Sequence, residues 1–209
     1  MKLNLENIII TLKDIRNYIF PFKKITNKFR SINSKQDLKN FIQERSAHVT
    51  QTTLYGYLKT RIGSRYAMMF EDREFSKSIN IAKWNIYMAA LSDCSIYVFS
   101  YLINEKNLKE NDCGEIFIQI IENEKKKGLD HELYENTKIE FVQKIKNIDW
   151  HNYYKDSPFK NSSLALYKWS PIADELKVLD KEIVLNSILL KWNLVENEFK
   201  ELTKNLNFN

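Results

Sequence analysis

The chain has 209 residues, 44% of them hydrophobic and 28% charged, with a net charge of +5. That balance excludes a disordered chain and is ample for one packed core. Four glycines and three prolines are too few for the tight turns of a sandwich or barrel, which leaves long helices joined by few loops.

The positive charge is concentrated at the start. Residues 1–30 hold Lys2, Lys13, Arg16, Lys23, Lys24, Lys28 and Arg30 against Glu6 and Asp14, so they carry the whole excess and residues 31–209 sum to zero. Within 3–20, Leu5, Ile8, Ile9, Leu12, Ile15, Ile19 and Phe20 recur at helical spacing, and Pro21 ends the pattern. A basic amphipathic segment of this kind packs on its own domain, docks on a protein partner or lies on an anionic membrane surface. The remainder shows no basic face, so no nucleic-acid partner is expected.

Ser34 with Asp37 three residues on resembles a capping box and predicts a helix from about 35 to Ile62, stopped by Gly63. Leu38, Phe41, Ile42, Val49, Leu54, Leu58 and Ile62 supply its apolar positions. Its middle, Ser46 to Thr53, is a belt of small polar residues, and threonine is a poor helix former. Such a belt either faces water or lines a polar cavity.

Residues 63–72 form a connector, and a second helix is expected from near Phe75 to about Asn104. Phe75, Ile79, Ala82, Ile86, Ala89, Ala90, Asp93 and Tyr97 share one face. Trp84 to Ile103 is long enough to span a bilayer. Three serines and a central Asp in that stretch favour the buried central helix of a bundle instead. Further helices are expected over Glu115–Lys127 and from the Asp130 cap to Ile148. An aromatic loop, Trp150 to Lys160, follows. Ser170 as N-cap with Pro171 behind it starts a last helix that reaches Thr203, with Leu176, Leu179, Ile183, Leu190, Leu194 and Leu202 along it. The reading is all-α: about six helices around helix 75–104, forming one domain over 31–209 behind the N-terminal segment 1–30.

The chain lacks a Gly-x-Ser-x-Gly elbow, a phosphate-binding glycine loop and a His-Glu-x-x-His pair. Three scattered histidines and two cysteines show no ligand spacing, so neither metal nor cofactor is expected, and Cys94 and Cys113 read as free thiols. What remains is polar. Asp93 is the only charge between Trp84 and Ile103, and a buried carboxylate is paired, protonated or working. Arg45, Arg61, Arg65 and Arg73, four of the six arginines, lie between Glu44 and Phe75. The two long helices are joined by about a dozen residues and should pack antiparallel. A turn centred near residue 69 then sets Asp93 opposite residue 45, so Arg45 or His48 is the expected partner. The sharper alternative is an anion-binding pocket lined by Arg61, Arg65 and Tyr66, with Asp93 orienting one arginine.

Tyr57-Leu58-Lys59-Thr60-Arg61 with Gly63 and Arg65-Tyr66, and then Ile79-Asn80-Ile81-Ala82-Lys83-Trp84, resemble blocks in a group of short alphaproteobacterial proteins that often carry the label esterase. The resemblance covers roughly residues 38–103. It implies a serine hydrolase, yet no nucleophile elbow is present here and no catalytic residue carries over. The expectation is therefore a non-catalytic helical interaction or scaffold protein with a protein partner. It would be cytoplasmic, reaching the inner face of the cytoplasmic membrane through residues 1–30. The alternative is a small hydrolase or anion-binding protein using the connector 61–73.

Overall fold

The computed structural model describes residues 31–156 and 158–206. The segment 1–30, with its expected amphipathic helix, lies outside the described residues. Among those described there is no strand, and six helices of ten residues or more carry the fold.

Helix α1 runs Lys35–Ile62. The Ser34 hydroxyl oxygen accepts the Asp37 amide at 3.0 Å, and the Asp37 carboxylate accepts the Asn33 amide at 3.2 Å. The helix stops at Gly63, whose φ of +63° is easy only for glycine. A 3-10 turn (Gly63–Arg65) and the short helix α2 (Tyr66–Met69) lead to α3, Arg73–Lys106. The Asp72 carboxylate caps α3 by accepting the amides of Glu74 and Phe75 at 2.8 and 3.0 Å. Helix α4 is Glu110–Lys125. Helix α5, His131–Lys146, is capped by Asp130 through the amides of Glu132 and Leu133 at 2.9 and 3.2 Å. A 3-10 turn at Tyr153–Lys155 precedes α6, Lys160–Trp169, and α7 is Asp174–Leu202.

Three expectations need correction. Helix α4 starts at Glu110 and not at Glu115, which draws Cys113 out of the expected loop into the core. The aromatic stretch does not run on as a loop: Lys160 begins α6, a helix absent from the sequence reading. Ser170 does not start α7. It ends α6, with its hydroxyl donating to the Leu166 carbonyl at 2.6 Å. Pro171 holds Ser170 extended (ψ 127°), so α7 begins only at Asp174.

Helix α3 packs on α1, α4, α5, α6 and the 153–155 turn, while α7 covers α6 and α1. It is long and apolar enough to cross a membrane, and 78% of its most apolar window is buried inside the bundle. The Ser46 hydroxyl donates to the Ala90 carbonyl at 3.3 Å, so α1 and α3 meet antiparallel in nearly the register their connector implied.

Candidate functional site

Asp93 is fully buried, at 0% exposure, but its cation is not on α1. Lys144 of α5 donates to Oδ1 at 3.2 Å and Asn161 to the same oxygen at 2.9 Å. The backbone N–H of Ser162 donates to Oδ2 at 2.7 Å. Asp93 lies only about 60° round α3 from Ala90, yet that offset is enough to carry its side chain from α1 to α5 and α6. Ala90 takes the α1 side, and Asp93 turns to α5 and α6. Burial holds its carboxyl above the usual carboxylate range, and Lys144 and the two hydrogen bonds bring it part of the way back.

This carboxylate is the missing cap of α6. The residue in the cap position, Phe159, offers no side-chain oxygen, and an anion at the N-terminal amides does the same work. Trp192 of α7 completes the seat: its indole N–H donates to Ser162 Oγ at 3.0 Å, and its ring stacks on Phe159 with centroids 4.3 Å apart. The node therefore ties four helices, α3, α5, α6 and α7, at one point.

The predicted arginines divide. Arg45 is buried and forks onto Glu198 of α7, with Nε and Nη2 each 2.6 Å from a carboxylate oxygen. Arg61 makes the same forked pair with the buried Asp180, which also accepts the Tyr57 hydroxyl at 2.9 Å. Both pairs lock α1 antiparallel to α7. Arg65 and Arg73 are exposed. Tyr66 is half-buried edge-on against Phe70, and burial pushes its hydroxyl up to about 12. The expected pocket of Arg61, Arg65 and Tyr66 around Asp93 is not assembled, because Arg61 and Asp93 are held by different helices. His48 is half-buried; burial and the neighbouring Arg45 and Lys191 hold its pKa below the usual value.

A second buried carboxylate escaped the sequence reading. Glu124 of α4 accepts Gln43 Nε2 at 2.5 Å and Lys127 Nζ at 2.8 Å, and the Tyr87 hydroxyl hydrogen-bonds to it. It sits in a run of Glu and Lys that reads as a solvated face. It is the penultimate residue of α4, and Gln43 of α1 and Tyr87 of α3 meet it there.

Among the described residues no group of His, Cys, Asp and Glu is arranged to hold a metal. Cys94 and Cys113 are buried free thiols, both pushed up to about 12 by burial. Two concavities lie beside these groups. A polar cleft of about 460 Å³ opens between α5 and α6 over α3, beside the Asp93 node, and includes Asn85, Asn136, Glu140, Lys144 and Asn161. A groove of about 400 Å³ runs between α1 and α7. Its α1 wall is the small polar belt continued: Thr52, Thr53, Gly56 and Thr60. Its α7 wall includes Ile183, Val184 and Ser187, and Asp180 with Arg61 closes one end.

Helix α7 itself is apolar on two sides. Asp180, Val184, Ile188, Trp192, Val195 and Phe199 enter the core. Of the leucines and isoleucine that the sequence marks out, Leu202 packs against the core, but Leu179, Ile183, Leu190 and Leu194 are 75, 71, 66 and 65% exposed, and Leu176 is exposed beside them. No protein-family model matches this chain, and no curated protein and no solved structure matches it. The esterase resemblance therefore stands on its residue blocks alone.

Proposed function

We propose that this chain is a non-catalytic helical interaction protein whose docking face is the α1–α7 groove and the apolar stripe beside it. The observation that supports this reading is the stripe: five large apolar side chains in line on a helix whose other side is already in the core. Single exposed leucines are ordinary on a protein surface, but an aligned row beside a groove is a partner's seat. Helix-on-groove docking is read through anchors at this three-and-four spacing. The buried carboxylates, by contrast, hold helices together. The test is capture from an extract of the native host with wild type and with Ile183→Asp/Leu190→Asp. A protein held by wild type and released by the variant, at unchanged melting temperature, is the expected result. Identical captures remove the groove from the function.

A second reading rests on the charge of residues 1–30, which would draw the chain to an anionic membrane surface. Full-length Lys23→Gln/Lys24→Gln/Lys28→Gln/Arg30→Gln should sediment less with phosphatidylglycerol vesicles than wild type. Equal sedimentation removes the membrane.

A further inference from the structure

The exposed row on α7 is a palindrome. Leu179, Ile183, Leu190 and Leu194 follow one another at intervals of four, seven and four residues, so the pattern reads the same from either end about a midpoint between Asn186 and Ser187. At 3.6 residues per turn these four and Leu176 fall within an arc of about 60° and extend over about 27 Å. Such a row meets an inverted copy of itself in register. Leu179 comes opposite Leu194 of the second copy and Ile183 opposite its Leu190, and each contact is made twice.

We infer that the α1–α7 groove and its apolar row form the interface of a two-fold symmetric dimer, with α7 packed antiparallel on α7 of a second copy. This rests on the reading of that face as a docking surface, and it names the occupant.

The groove is centred on the same point as the row. The Arg61–Asp180 and Arg45–Glu198 pairs set the register of α1 against α7, and counted from them Gly56 comes opposite residues 185–187. Thr52 and Thr60 stand one turn to either side of it on the groove wall. A Cβ built on Gly56 would meet nothing within 4 Å, so the wall is lowest beside the midpoint of the row. That is where the apolar ridge of an inverted copy needs room, and small side chains four apart leave a groove for it.

Charge and area favour a copy over a charged partner. Asn186 and Ser187 are uncharged, and the two Asn186 amides meet at the two-fold axis, where each can donate and accept. The charges of α7 nearest the midpoint are Glu182 and Lys191. In the inverted pair each stands about 14 Å along the axis from its own counterpart, beyond the screening length of about 8 Å at physiological salt. A strongly basic or acidic partner finds no matching cluster on this row. Each of the five side chains still exposes on the order of 100 Å². Two copies therefore cover about 1,000 Å² from the row alone, the size at which a specific interface begins.

Sedimentation velocity on the full chain tests the inference. At roughly 1–100 μM the wild type should run at twice the monomer mass of 25.0 kDa. Ile183→Asp/Leu190→Asp, which crowds carboxylates about the axis, should run as a monomer with its helix content unchanged. The register is read separately by cross-linking. Asn186→Cys should be joined to its copy by a short bismaleimide, while Val178→Cys, exposed on the same helix but outside the arc, should not; Cys94 and Cys113 are buried. A monomer at every concentration overturns the inference. So does a dimer that the aspartates leave intact, which puts the contact elsewhere, or a dimer in which Asn186→Cys does not link, which removes the antiparallel register. A monomeric wild type whose captured protein is lost in the aspartate variant would sink the second copy and leave the docking face standing. An intact dimer in that variant, with captures identical to those of wild type, takes down both.

Discussion

Asp93 shows how one side chain can decide the placing of a helix. Its two oxygens satisfy an amide of α6, the Asn161 side chain and the Lys144 ammonium. Asp93→Ala should therefore cost about 3–5 kcal/mol, as removal of one partner of a buried pair does, measured by urea unfolding. Asp93→Asn keeps an acceptor for the Ser162 amide and should cost less. Equal costs for the two would mean that the cap contributes nothing beyond charge. His48 sets a pH dependence. Its folded pKa lies below 6.5 because of burial and the cations Arg45 and Lys191. The unfolded chain then takes the proton first, so this contribution is complete above 6.5 and is lost as pH falls through the folded value. His48→Gln should flatten the decline in melting temperature between neutrality and about pH 5. A decline as steep as that of wild type assigns it to other groups.

At the scale of elements, the legible helices are those that carry their own caps. Ser34, Asp72 and Asp130 each accept amides of the turn that follows, and α1, α3 and α5 begin where these residues stand. Asp72→Ala should cost about 1 kcal/mol in thermal unfolding, since the two amides it accepts lie at an exposed helix start. No loss would mean that the Phe70 and Phe75 packing alone holds the start of α3. Helix α6 could not be read this way. Its cap comes from Asp93, far away in sequence, and no local pattern announces a cap that arrives from another helix. Helix α7 misled for a different reason. It has two apolar arcs, and the more conspicuous one, Leu176 to Leu194, is the one left in water.

Over the whole molecule, the polar groups hold helices in register around an apolar interior. Arg45–Glu198 and Arg61–Asp180 set α1 against α7, Glu124 ties α4 to α1 and α3, and Asp93 ties α5 and α6 to α3. Each joins side chains distant in sequence, so each closes a large loop whose entropy only the finished fold offsets. The same arrangement explains why a span-length apolar helix is mostly covered: five neighbours in the bundle surround α3. The groove is what this packing leaves over, because α7 leans its core face on α6 and α1 and cannot bury its second arc as well.

The all-α class, the bounds of α1 and α3 and their antiparallel register were properties of the sequence alone. They follow from glycine scarcity, local caps, periodicity and a short connector, all of which act within a few residues. Which cation meets Asp93, that α6 exists and which arc of α7 is buried were decided only in three dimensions. The reason is that a helix exposes every direction around its axis, and only the neighbours that arrive choose among them.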